Sequence, residues 1–365
     1  MAGIQPRAFS ASKTLLVAIT ILVLFFWSAH RARHAPRAFE LSGPTMGTTY
    51  HIRVVAPGLT EARAGDLKSQ IDAYLTEFND EFSPYNPSSV LSRVNAAPAH
   101  QPIEVPQRFA RALSLALDLA RRSGGALDPT VGPLIRLWGF HDAAGPRTPP
   151  EAEVEAARER CGWTKVGFDD AGRVVKTAEG VELDFNSFVP GLACDEVQAL
   201  LQQGGISNCF VEIGGEIRVS GQSPSSRPWR IGLDAPIPGT DAGKRMTGVV
   251  QSSDGGVATS GGYRNFISDA RGARSTHVFD PRTLRPVDRV RQSVTVVAPD
   301  AMTADALATT LYVMGEDEGL KWLAREYPGV HALFVQADES GVLTEAASPD
   351  FMTATAFLRP PDKAP

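Results

Sequence analysis

Asp305 and Thr309 stand four residues apart in the run Ala304-Asp305-Ala306-Leu307-Ala308-Thr309, with small alanines around them. On a helix that spacing puts a carboxylate and a hydroxyl on one face. Two hard oxygen donors so placed suit magnesium, which keeps waters and substrate phosphates as its other ligands. The same pair also fits a hydrogen-bonded aspartate beside a threonine bonded to its own helix. His277 precedes the turn-forming Asp280-Pro281-Arg282-Thr283, so it is expected on a short strand just before a turn. Histidine has the proton affinity of a general base near neutral pH, although a lone histidine is also a common structural residue. His51, His100, His141 and His331 have no comparable surroundings.

A third group is rich in glycine: Glu212-Ile213-Gly214-Gly215-Glu216, Ala258-Thr259-Ser260-Gly261-Gly262-Tyr263, and Gly124-Gly125-Ala126-Leu127-Asp128-Pro129-Thr130. Paired glycines let a ligand approach the main chain, and successive amides can hold phosphate oxygens. Ordinary turns use the same residues. Tyr85, in Phe82-Ser83-Pro84-Tyr85, could stack on a planar ring or be a half-buried surface side chain.

These residues need elements to position them. Apolar residues recur at helical spacing from Thr60 to Phe82, where Pro84 ends the run, and from Gln107 to Arg122, which stops at Gly124-Gly125. A strand from Val294 to Ala298 ends at Pro299, Asp300 can cap a helix, and that helix runs to Gly315. Pro150-Glu151 looks like the first turn of a helix to Arg160, after an exposed connection at Gly145 to Pro150. Strand-like runs occur at Thr48–Val55, Cys209–Ile213, Ile217–Val219, Trp229–Leu233, Val249–Gln251 and His331–Val335. The composition is α+β, read as a single mixed-sheet domain over residues 39–350 with a tail at 351–365. No Gly-x-Gly-x-x-Gly follows a strand and opens a helix, which disfavours a doubly wound nucleotide fold.

At 365 residues and 43 % apolar content the chain can build a sizeable core. Its net charge of -5, without basic blocks, makes nucleic acid an unexpected partner. Phosphate-loop, His-Glu-x-x-His and Gly-x-Ser-x-Gly motifs are absent, so the usual hydrolase readings fail. Residues 1–38 read as an export segment. An apolar stretch from Thr14 to Ala29 follows Arg7 and Lys13 and precedes Arg31, Arg33 and Arg37. A cleaved signal peptide and an uncleaved membrane anchor both fit, with the domain on the outer, periplasmic side of the cytoplasmic membrane. Cys161, Cys194 and Cys209, at no metal-like spacing, are expected to be buried as small apolar residues.

In order along the chain, the segments resemble the signatures of the FAD:protein FMN transferase family, also called the ApbE family. Gly43-Pro44-Thr45-Met46-Gly47-Thr48-Thr49-Tyr50 is similar to its opening motif, followed by Phe82-Ser83-Pro84-Tyr85 and Ser92-Arg93-Val94-Asn95. Asp128 to Leu134 with Leu137-Trp138-Gly139-Phe140 comes next, then Ile213 to Glu216, Ala258 to Gly261, His277 to Pro286, and Ala304 to Thr309.

The resemblance implies a single α+β domain that transfers FMN from FAD to a threonine or serine hydroxyl of an acceptor protein, with magnesium as cofactor and AMP released. Met46, Tyr85, Ala126, Leu127 and Asp128 would contact FAD, with Asp184 and Phe279 nearby. Asp305 and Thr309 would bind magnesium, joined by the main-chain carbonyl of Ser187, and His277 would be catalytic. Pro190 stands where the family commonly has a cofactor-side lysine, so a cationic contact from that position is lost. The acceptor implied is a subunit of a membrane-linked electron-transfer system. Two other readings are a FAD pyrophosphatase and a non-catalytic exported flavin-binding protein. Retention of His277, Asp305 and Thr309 together argues against pure binding.

Overall fold

The structure is a computed structural model that describes residue 20 and residues 36–140, 146–263, 266–268 and 274–359. The export segment, apart from residues 20 and 36–38, lies outside the described residues, as do His141 and Gly145. Among the described residues no helix is long and apolar enough to cross a membrane.

Eight strands form one sheet: β1 Pro36–Thr45, β2 Thr48–Pro57, β3 Asn208–Ile213, β4 Glu216–Ser220, β5 Asp254–Gly261, β6 Gln292–Ala298, β7 His331–Ala337 and β8 Leu343–Ala347. Spatial order follows chain order, and every neighbouring pair runs antiparallel. The expected mixed sheet is thus antiparallel throughout, because each excursion into helices returns the chain to the next free edge. The main helices are α1 Glu61–Phe82, α2 Gln107–Arg122, α3 Val189–Gln203, α4 Ala301–Met314 and α5 Glu316–Glu326. The first three are inserted between β2 and β3, the last two between β6 and β7.

Side chains alternate across a strand, so each strand supplies both faces. Tyr50, Ile52, Val54, Cys209, Val211, Ile213, Val294, Val296 and Phe334 point to the helices and build the main core. Val219, Val257, Leu333 and Val335 point the other way, under a ribbon made by Trp229–Asp234 and Met246–Ser252. A third apolar cluster, with Leu134, Trp138, Val154, Phe279 and Leu284, forms a small lobe. All three cysteines are free and buried.

Local signals act where the sequence placed them. Thr60 Oγ1 accepts from the Arg63 amide at 3.3 Å and caps α1, and Asp300 Oδ1 accepts from Thr303 N at 2.7 Å and caps α4. The helix expected from Glu151 to Arg160 is α-helical only to Ala157 and then tightens into a 3₁₀ turn. Residues 351–359, expected as part of a tail, are packed. Phe351 is buried in the ribbon-side core, and Leu358 exchanges main-chain hydrogen bonds of 2.8 Å with Val249. A short apolar helix closing an otherwise exposed sheet face is the reason.

Helices α3 and α4 approach so closely that a Cβ at Gly191 would lie 2.4 Å from the Ala301 carbonyl oxygen and 2.9 Å from Asp305 Cβ. Gly191→Ala is therefore expected to destabilise the protein by roughly 2–3 kcal/mol or more, through overpacking against main chain. Gly65→Ala on α1, where a Cβ meets nothing within 4 Å, should instead stabilise by about 0.5–1 kcal/mol. Urea denaturation of the two variants checks both signs, and equal stability of Gly191→Ala and wild type would refute the close packing.

Candidate functional site

At the sheet end that carries the β3–β4 turn and the last residues of β5, a cleft of about 830 Å3 opens. That is toward the upper end of small-molecule sites, enough for a dinucleotide-sized ligand. Its walls come from segments far apart in sequence: Ala126, Leu127 and Asp128; Asp184 and Ser187; Thr259 and Ser260; His277 and Phe279; and Asp305 and Thr309. Tyr85, 71 % exposed, stands at its mouth. Two sequence candidates are not among its lining residues. Met46 sits in the β1–β2 turn with φ 46° and packs half-buried on the main core. Pro190 lies in the first turn of α3.

The floor is where α3 and α4 meet. The amide of Gly191 donates to Asp305 Oδ2 at 3.1 Å. Asp195, one turn further along α3, accepts from Ala301 N and Met302 N, both at 2.9 Å. Each helix thus gives a carboxylate to the other's N-terminal amides, which lack partners within their own helix. Arg218 Nε lies 3.3 Å from Asp195, and its Nη1 lies 2.8 Å from Asp254. Burial pushes the Asp195 carboxyl up to about 6 against the pull of its two amide bonds. Burial also pushes Asp305 up to about 7, opposed by Gly191 and reinforced by the nearby charge of Asp195.

Asp128 has a different task. Its Oδ1 accepts from Thr130 N at 2.8 Å and Thr130 Oγ1 at 2.6 Å, and its Oδ2 accepts from Trp163 N at 2.8 Å. Burial raises its proton affinity while these bonds oppose it, so the side chain braces the loop that presents Ala126 and Leu127. Asp184 similarly accepts from Asn186 N at 2.9 Å and folds the segment leading to Ser187.

His277 is exposed and occupies a bend between two short strands, Arg274–Thr276 and Phe279–Asp280, rather than a strand itself. Buried Thr276 fixes that bend: its hydroxyl donates to the Val287 carbonyl at 3.0 Å and accepts from Val278 N at 3.2 Å. Phe279 meets Trp138 at 5.9 Å and Phe140 at 5.7 Å between ring centres, which ties the bend to the third cluster.

Magnesium can be tested against the donor set. Asp305 is 5 % exposed and has no cationic partner among the described residues. A buried carboxylate of that kind, with the Thr309 hydroxyl one turn on, fits a hard divalent cation. Among the described residues no cluster of three His, Cys, Asp or Glu side chains forms a ready-made cage.

Sequence reasoning passed over Asp195, Ser260, Glu212, Glu216 and Asp234. The last four line the cleft. Glu212 and Glu216 flank the paired glycines that drew attention, and Glu212 Oε1 accepts from Gly215 N at 2.7 Å. Ser260 lay inside a run noted for its backbone. Asp195 and Asp234 carry no local signal.

The ApbE family profile matches residues 46–334. The FAD:protein FMN transferase of Haemophilus influenzae is 35 % identical over 339 residues, covering 91 % of this chain and 96 % of that protein. The FAD:protein FMN transferase of Vibrio cholerae is 38 % identical over 283 residues, covering 77 % and 83 %. Among solved structures, the flavin transferase ApbE from Vibrio cholerae superposes with a TM-score of 0.76 at 36 % identity, over 87 % of this chain and 98 % of that one. The apo flavinyl transferase ApbE of Pseudomonas stutzeri gives 0.77 at 32 % identity, over 88 % and 97 %.

The raised Asp305 affinity has a stability consequence. Between about pH 4 and 7 the unfolded chain ionises this carboxyl freely while the folded one still holds its proton, so the fold loses stability as pH rises through that window. In chelator, the thermal midpoint should therefore fall by several degrees from pH 5 to 8. Asp305→Asn should flatten that slope, and added magnesium should restore the midpoint of wild type only. A midpoint independent of Asp305 and of magnesium across this range would remove the buried-charge account.

Proposed function

We propose that this chain, which belongs to the ApbE family, transfers the FMN part of FAD to a threonine or serine hydroxyl of an acceptor protein, with magnesium as cofactor and AMP as the second product. The observation that supports this most directly is the meeting of His277, Asp305 and Thr309 in one cleft with the candidate flavin-contact residues. These cleft residues come from five separate stretches of chain, and a binding protein needs neither a base nor a buried, cation-seeking carboxylate.

Asp305, Thr309 and the Ser187 carbonyl would hold magnesium, which when bound neutralises charge on the pyrophosphate. The protein's own residues do the rest. Tyr85 at the mouth and the Ala126–Asp128 loop offer a ring face and main chain to the flavin dinucleotide. Gly214, Gly215 and Gly261 bring backbone close to it without side chains in the way. His277, exposed on a braced bend, would take the proton of a hydroxyl arriving from solvent, which is a poor nucleophile without a base.

Residues 1–38 support export, and the acceptor we propose is a subunit of a membrane-linked electron-transfer system on the outer side of the cytoplasmic membrane. A topology reporter fused after Phe39 should be active only outside the cytoplasm, and activity confined to the cytoplasm would overturn this.

His277→Ala should keep FAD affinity, read by flavin fluorescence, yet lose roughly 100- to 10,000-fold in acceptor flavinylation, read by intact mass. AMP release with and without acceptor separates transfer from plain pyrophosphate hydrolysis. Loss of FAD binding together with transfer would make His277 a cofactor-binding residue instead.

A further inference from the structure

We infer that Ser260 is a positioning residue for the proposed cation site, acting through Thr309; the inference rests on the magnesium reading above. A threonine inside a helix ordinarily turns its hydroxyl back to the carbonyl four residues earlier. Thr310 does so, donating to the Ala306 carbonyl at 2.7 Å, as does Thr76 to the Asp72 carbonyl at 2.8 Å. Thr309 does not. Its hydroxyl is paired instead with Ser260 Oγ across the helix–sheet interface at 3.0 Å.

The placement follows from the fold. Ala258 on β5 faces the main core, so Ser260, two residues on, points to the same side, where α4 lies. Both hydroxyls are half-buried and line the cleft. A hydroxyl has one proton and two acceptor lone pairs. Either oxygen can donate in this pair; with Thr309 as donor both its lone pairs stay available to a cation, and in either sense its oxygen is turned away from its own helix. Ser260 would thus do for a hydroxyl ligand what an outer partner does for a metal-bound histidine, holding one rotamer and one proton direction.

Manganese, used as the probe in place of magnesium, is titrated into the purified protein without FAD or acceptor and followed by its paramagnetic resonance signal. Loss of an outer partner typically weakens metal affinity roughly 10- to 100-fold, and Ser260→Ala should fall in that range. Ser260→Thr, which keeps the hydroxyl, should recover most of the affinity. In a Thr309→Ala background, Ser260→Ala should cause no further loss, because its effect runs through Thr309. The metal-free thermal midpoint of each variant is measured alongside. A Ser260→Ala protein that binds manganese like wild type, or weakens equally with and without Thr309, would overturn the assignment. A wild-type protein with no Asp305-dependent manganese binding would overturn the cation reading itself, which is a separate result.

Discussion

Everything in the cleft depends on how closely the N-termini of α3 and α4 can approach. The two helices interlock: Asp195 of α3 accepts from the first two amides of α4, and Asp305 of α4 accepts from the third amide of α3. Each bond satisfies a donor that the helix itself cannot, and each sets a carboxyl oxygen at the positive end of a helix dipole. The approach demands glycine at two positions. A Cβ on Gly191 would strike the Ala301 carbonyl, and one on Gly256 would lie 2.3 Å from the Ala301 amide nitrogen. Sheet, α3 and α4 are therefore fixed against one another at the point where Asp305 is presented.

The interlock also distributes charge unequally. Asp128 is buried with three hydrogen bonds, and half-buried Asp195 has two, with Arg218 besides. Asp305 is as deeply buried as Asp128 and has one amide. Burying charge with so little compensation is unfavourable in a metal-free protein, which is the usual trade between stability and function at a site. The contrast separates bracing carboxylates from one left with a single hydrogen bond, although both read as Asp in a turn or helix.

Much of the fold was legible because it rests on local signals. Thr60, Asp300, Pro84, Gly315 and the period of apolar residues in α1 and α2 mark their elements without reference to anything distant. The order of strands, the closing role of Phe351 and the opposed faces of β7 depend on which edge each excursion returns to, and no short window carries that. The site divides the same way. That Asp305 and Thr309 share a helix face was legible from their spacing, and that His277 stands beside a turn from the residues after it. Asp195 was not, because the amides it accepts from are more than 100 residues away. Ser260 was hidden behind its glycine neighbours, and nothing local says that a strand hydroxyl will meet a particular helix hydroxyl.

Pro190 shows how a proline can stand beside the cleft floor and leave it intact. It occupies the first turn of α3, where a proline removes an amide that has no helical partner in any case and supplies a suitable φ. One residue later, a proline would delete the Gly191 amide that holds Asp305, and its ring would enter space that even a methyl group cannot occupy. Proline at 190 therefore leaves the bond to Asp305 in place. Positive potential at this corner then comes from the amide ends of two helices and from Arg218 behind Asp195, with no lysine at position 190 to supplement them. On the proposed reading, a bound divalent ion would then supply a larger share of the positive charge that meets an incoming pyrophosphate, and the groups that orient the oxygens around it would carry more weight.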